Sequence, residues 1–442
     1  MSRSNRKWLS MESCRGPAAR MPRRIALVAA PTVLALAVSM LAPATSMAAG
    51  DWTIPALLQR AETTHPSVAG RRADHAAAQA NRDAAGWQRF PTPSVELGSR
   101  SLGGTGTDTL NGSTRAIRLD QPLWTGGRID AGIDAADQRL QASDAAITEV
   151  QLDLRMKVAN AASEAMRQQE RVRVAQGHVA QLDKLQGMIR RRVAQEVSAS
   201  ADLNLAQSRL LASVNDVNAG KQALRTALVQ LEQLVGEPVG RVVESPGDEA
   251  GLADDKPGLL ARTLDVSPRL KRLRYEERQA EATVRVRRAV LSPAVLLRLE
   301  NLQGTALVGT GVGSTNRALV VLQWQTGAGL SALSAVSEAR AQQEATRQAR
   351  EAAVREVTQQ FESDWAQWQD ARLRLDVARR IQGTAAEVAD SYSRQYVAGR
   401  KSWLDMMNSV REVEQAELAS VDVRYEAQAA ALRLRLESGS LQ

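Results

Sequence analysis

Ile129, Ile133, Ala136, Leu140, Ser143, Ile147, Val150, Leu154, Val158, Ala161 and Ala165 are small or apolar side chains separated by steps of 4, 3, 4, 3, 4, 3, 4, 4, 3 and 4 residues. That spacing is the α-helical period, with a heptad-like start. No proline interrupts the chain between Pro122 and Pro238. A helix over residues 127–194 reaches about 100 Å at about 1.5 Å per residue, more than a globular domain of this size accommodates. The stripe is rich in Ala and Ser, so neighbouring helices can approach closely over a narrow seam. Such seams account for an aromatic content of only 3% in a chain of 442 residues.

Outward from this stretch, the body reads as one unit written twice. A forward shift of 202 places His65-Pro66 on Ser267-Pro268, Phe90-Pro91 on Ser292-Pro293, Arg115 on Arg317, Gln121 on Gln323 and Gly127 on Gly329. After a one-residue slip, a shift of 203 places Glu196 on Gly399, Asp202 on Asp405 and Gly236 on Gly439. The expected organisation is a first repeat over 49–240, with strands about 93–102 and 113–124 and long helices about 127–194 and 201–236. A linker over 241–257 follows. The second repeat, 258–442, carries strands about 293–303 and 315–325 and long helices about 329–397 and 402–437, with no proline after Pro293.

The strand segments alternate with period two. Ile117, Leu119 and Leu123 are apolar around Arg118 and Asp120, and Val295, Leu297 and Leu299 are apolar around Arg298 and Glu300. Val95, Leu97, Leu319 and Val321 keep the same odd parity, blurred by Leu296, Val320 and Leu322. Strands of about ten residues with one apolar face fit the length that crosses a bilayer in a barrel. Four strands close no barrel with a lumen, so a membrane reading requires several chains in cyclic symmetry. A two-sided soluble sheet is the other reading of the same alternation. Trp124 and Trp324 flank the strands, where interfacial aromatics belong, although packing explains them equally well.

The formal charge of +8 does not indicate an anionic ligand. Arg3, Arg6, Lys7, Arg15, Arg20, Arg23 and Arg24, with only Glu12 against them, lie before residue 49, leaving a body of 50 basic and 48 acidic side chains. Arg23-Arg24, the apolar run from Ile25 to Leu41 and the small residues up to Ala49 have the layout of a cleaved secretory signal over residues 1–48. Cys14, the only cysteine, precedes the apolar run, so no lipid-anchoring cysteine is expected at the mature end. One Cys and three scattered His leave no disulfide framework and no zinc or thiol chemistry in the body. The runs Gly103-Gly104-Thr105-Gly106 and Gly309-Thr310-Gly311-Val312-Gly313 lack a following Lys and lie between strands, so they are not read as phosphate loops. No nucleophile–base pair stands out, and the chain reads as a non-enzyme without cofactor, metal or nucleic-acid partner.

The order helix, strand, Gly-rich loop, strand, long helix, twice over behind a signal, together with Leu119-Asp-Gln-Pro-Leu-Trp-Thr-Gly-Gly-Arg128, resembles the TolC family of outer-membrane efflux and secretion ducts. The resemblance covers residues 51–442. It implies a mixed α/β membrane protein, homotrimeric, with a 12-stranded outer-membrane β-barrel made of four strands per chain and a long periplasmic α-helical barrel that closes like an iris. It also implies outer-membrane lipid, a periplasmic adaptor and an inner-membrane transporter of ABC or RND type as partners. In Leu322-Gln-Trp-Gln-Thr-Gly-Ala-Gly-Leu-Ser-Ala-Leu-Ser334 the wording is most similar to the branch serving type I secretion of adhesin-like proteins. Small-molecule efflux is the alternative cargo, and a soluble periplasmic coiled-coil scaffold the alternative class.

The family's entrance pattern matches Tyr396, Gly399, Lys401 and Asp405, and the equivalent first-half turn carries Asp202. By resemblance, Tyr396 and Lys401 tie this tip to Asp202, and Asp405 from three protomers forms an acidic constriction. The chain departs from the pattern at Asn408, where a second acid is usual, and at Glu196, where Gly is usual. Three carboxylates in place of six weaken the capture of cations. Simpler roles stay open for these residues: Asp202 and Asp405 as helix-capping acids and Tyr396 as seam packing; nearby, Arg190-Arg191-Arg192 reads as a solvated face, with a docking patch for an acidic partner as the alternative.

Overall fold

The computed structural model describes residues 50–102, 110–244, 255–305, 312–325 and 327–440. The expected signal, residues 1–48, and the Gly-rich positions 103–106 and 309–311 lie outside the described residues. The first half runs β1 (Asp51–Thr53), α1 (Ile54–Thr64), α2 (Pro66–Trp87), β2 (Thr92–Leu102), β3 (Leu110–Trp124), α3 (Arg128–Ala194) and α4 (Ser200–Val235). The second runs β4 (Arg241–Val243), α5 (Lys256–Val266), α6 (Pro268–Ala289), β5 (Ala294–Thr305), β6 (Val312–Gln323), α7 (Ser331–Val397) and α8 (Trp403–Glu437). One 3-10 turn, Ala328–Leu330, precedes α7.

The duplicated landmarks have structural meaning. Pro66 and Pro268 open α2 and α6, where a missing N–H costs no helical bond. His65 and Ser267 cap those helices by accepting from the amides of Ser67 and Leu270 at 3.2 and 3.5 Å.

Helices α3 and α7 are each 67 residues long, about 100 Å at the α-helical rise. Along its length α3 packs first against α2 and α6, then against α4 and α8; α7 packs against α6 and α8. The helices thus form a wall in which α2 and α4 follow one another on one side of α3, and α6 and α8 follow one another between α3 and α7. The seams are lined by small side chains: Ala159, Ala162 and Ala165 of α3 are essentially inaccessible. Where the shorter helices meet end to end, α1 and the parallel pair β1–β4 close a larger core around Leu57, Val158, Leu231 and Val235. Strand β4 lies in the segment read from sequence as a linker. Nearby, Phe361, Trp365 and Trp368 of α7 pack with Leu259 and Leu434.

The four longer strands form an antiparallel sheet in the order β2-β3-β5-β6. In β2, β3 and β5 the odd positions share one face, because the pairs Val95–Ile117 and Leu119–Leu299 stand directly opposite. The expected odd parity fails in β6. Leu299 pairs with Ala318 and Leu297 with Val320, so the even residues Val320 and Leu322 join the apolar face, while Leu319 and Val321 lie on the other. Seven residues separate the paired ends Leu102 and Leu110, but six separate Thr305 and Val312. One residue fewer flips every side chain of the strand. The resulting face exposes Val95, Leu97, Ile117, Val320 and Leu322, each by more than half.

The opposite face carries ion pairs. Arg118 meets Glu96 and, at 3.3 Å, Glu300; Arg317 reaches Glu300 at 3.1 Å; Arg298 grips Asp120 through two bonds of 2.7 and 2.9 Å. Among the described residues, no helix is long and apolar enough to cross a membrane.

Candidate gate at the helical tips

The ends of α3 and α7 lie about 100 Å from the sheet, at turns into α4 and α8. The two turns close alike. In the first, the amides of Glu196 and Val197 donate to the carbonyls of Val193 and Arg192 at 3.0 and 2.9 Å; in the second, those of Gly399 and Arg400 donate to Tyr396 and Gln395 at the same distances. This pattern needs a left-handed residue after the helix, a conformation glycine adopts without Cβ strain. Gly399 has φ 73°, and Glu196, where the sequence departs from glycine, still adopts φ 61°.

The restarts differ. Ser402 caps α8 in a reciprocal box: its hydroxyl accepts from the Asp405 amide at 3.1 Å and donates to the Asp405 carboxylate at 2.8 Å, while that carboxylate accepts from the Ser402 amide at 3.3 Å. These bonds, and secondarily the charge of Lys401, hold the Asp405 carboxyl below the usual carboxylate range. The α4 restart has Ala199 in the capping position and no side-chain cap; Asp202 stands in its first turn. Asn408 follows Asp405 by one turn and is half-buried.

Tyr396 is buried in a cluster with Leu182, Ile189, Trp403 and Met406, its ring centroid 5.3 Å from that of Trp403. Its hydroxyl lies 3.5 Å from the Ser198 hydroxyl, and the Arg192 guanidinium sits 4.9 Å from its ring centroid, itself donating to Ser198 at 3.3 Å. Within the protomer Tyr396 therefore joins the second tip to the first through Arg192 and Ser198. Among the described residues no hydrogen bond or ion pair links Asp202 to Tyr396 or Lys401; the Lys401 ammonium instead lies over the ring of Tyr392, 4.4 Å from its centroid. Arg190 and Arg191 are exposed, whereas Arg192 is half-buried. Reasoning from the residues missed Ser402, Ser198 and Tyr392, and it read Arg192 with its neighbours as a solvated face, whereas Arg192 is half-buried against Tyr396 and Ser198. The spacing Ser402-x-x-Asp405 was a readable capping signal; the contacts across the two repeats had none.

Among the described residues no three or more His, Cys, Asp or Glu side chains are grouped so as to hold a metal ion. At the tips the two repeats are joined by the buried cluster around Tyr396. A family profile described as "Outer membrane efflux protein" matches residues 57–237 and 259–440, both repeats. The chain belongs to this family. Its members are channels and not enzymes, and membership implies an outer-membrane location. One curated relative, the pyoverdine export outer membrane protein OpmQ of Pseudomonas aeruginosa, is 25% identical over 258 residues, 55% of this chain and 54% of its own length. The chain thus spans about half the length of that relative. Crystal structures of CusC (14% identity, 88% of this chain and 92% of that one, TM-score 0.78) and of the outer membrane protein VceC from Vibrio cholerae (15%, 87% and 96%, 0.75) share the fold.

Proposed function

We propose that the chain is the exit duct of a tripartite export system, assembling as a homotrimer whose sheets join into a 12-stranded barrel and whose long helices continue it into the periplasm. The sheet carries this reading. It has two open edges, β2 and β6, one exposed apolar face and one ion-paired face. Unpaired edges beside hydrocarbon are costly, and closure with further copies removes them, placing the apolar face toward lipid and the charges toward a lumen. The helical wall has matching open flanks: α4 exposes Leu211 and Val229, and α7 exposes Leu373, Val377 and Ile381.

Conduction is passive, with energy from an inner-membrane transporter acting through an adaptor at the tips. At those tips the three Asp405 side chains form the constriction, with Asn408 adding no charge, and Tyr396 and Lys401 help to keep it shut. Reconstituted in planar bilayers, the protein conducts as a trimer, and Asp405→Ala weakens block by multivalent cations. A monomer without conductance, recovered without detergent, overturns the duct in favour of a soluble scaffold.

Likeness to a pyoverdine exporter supports a small exported molecule as cargo. The Gly327-Ala328-Gly329 wording supports type I secretion of an adhesin-like protein. Deleting the gene and comparing drug and metabolite efflux with the secreted proteome separates the two.

A further inference from the structure

Where the strands give way to helices, aromatic and basic side chains surround the base of the sheet. Trp87, Phe90, Trp124 and Trp324 are 69%, 56%, 51% and 66% exposed in a chain that otherwise uses few aromatics. They are held in place. Trp87 and Phe90 pack with ring centroids 5.2 Å apart, and the Trp324 indole donates to the Leu291 carbonyl at 3.1 Å. A bulge at Leu123 shifts the register so that Trp124 pairs with Val295 and joins the apolar face.

The arginines of this region fall into two groups. Arg89 and Arg285 are bound to Asp130 and Asp134. Arg128, Arg287 and Arg288 are exposed and hold no carboxylate among the described residues. Arg288 borders a cleft of about 510 Å³ with Gly126, Gly127 and Ser292, shared with Asp130 and Asp134, whose carboxylates are taken up by Arg89 and Arg285. A Cβ on Gly126 would lie 2.6 Å from that of Ser292, so the end of α6 is pressed against the start of α3. Arg128 opens α3 and Arg287 and Arg288 stand in the last turn of α6, so exposed guanidinium groups lie on both sides of this close contact, next to the ends of the strands.

We propose that this region binds the anionic headgroups of phospholipids in the leaflet that the barrel meets on its helical side. The proposal rests on the membrane-barrel reading. Continuity with the apolar sheet face supplies the acyl-chain contact, tryptophans favour the headgroup level, and unpaired guanidinium groups match phosphate in charge and in bidentate geometry. Each basic side chain near an anionic surface favours binding by about fivefold.

The full-length protein, reconstituted with spin-labelled phosphatidylglycerol or phosphatidylcholine as probe, tests this through the relative association of the two lipids. The wild type prefers phosphatidylglycerol by roughly fivefold or more, less so at high salt. Arg128→Gln/Arg287→Gln/Arg288→Gln abolishes the preference, the three Lys replacements retain it, and Arg190→Gln/Arg191→Gln at the distant tip leaves it unchanged. Equal association of the two lipids with the wild type, or a preference that survives the Gln variant, overturns the proposal while leaving the barrel intact. A chain that inserts into neither phosphatidylcholine nor phosphatidylglycerol vesicles overturns the barrel and the proposal together.

Discussion

The two tip turns are copies of one structure held by different means. Equivalent amides donate to equivalent carbonyls, yet the second turn has glycine in its left-handed position and a reciprocal cap on the next helix, while the first has Glu196 and an uncapped Ala199. The second turn is locally satisfied. The first is held in part by its neighbour, through Arg192 and Ser198 against Tyr396. Duplication has preserved the backbone path and let the source of its stability move from local bonds to tertiary contact.

The largest test removes the shared element. Tyr396→Ala empties a buried site between the tips and costs about 3 kcal/mol. Hydrogen exchange then reports lost protection in both turns, more in the first; loss confined to the second contradicts the dependence of one on the other. A second measurement separates tip effects from those at the far end of α8. There burial, then nearby Asp364, raises the Glu437 carboxyl to about 7, against an opposing pull from Arg433. A raised carboxyl value favours the protonated native form, so its contribution is full below about pH 4.5 and is lost as pH rises to about 7. The loss is roughly 3 kcal/mol, and Glu437→Gln flattens it in a pH series of thermal melts without altering exchange at the tips.

Smaller changes act on one turn at a time. Ser402→Ala removes the cap and costs about 1 kcal/mol, bringing the second turn toward the first. Acidification does the same with the opposite pH sense to Glu437: the depressed Asp405 value means that its contribution is present above the ordinary carboxylate range and is lost as pH falls below it. Finally, Glu196→Gly relieves the left-handed strain and stabilises the first turn by up to about 1 kcal/mol, narrowing the difference in exchange rates between the turns.

The long helices could be read from the period of Ile129 to Ala165, because a seam of small side chains leaves its spacing in the sequence. The alternation in β2, β3 and β5 was equally readable. Parity in β6 was not, since it depends on a connection one residue shorter and not on the strand's own composition. At the tips, resemblance drew attention to Tyr396, Gly399, Lys401 and Asp405, and Glu196 stood out as a departure from glycine. The partners of Tyr396 could not be read, because Ser198 and Tyr396 lie 198 positions apart and meet only through the packing of the two repeats. The pairing of β4 with β1 was hidden for the same reason: a three-residue parallel strand leaves no period of its own.

The ion pairs across the centre of the sheet bear on the history of the duplication. Asp120 of the first repeat faces Arg298 of the second. The first repeat's own counterpart of Arg298, at the shift of 202, is Glu96. Two copies of the first half joined in this register would set Asp120 against Glu96, acid opposite acid. At this junction the two halves are complementary, so neither can stand in for the other.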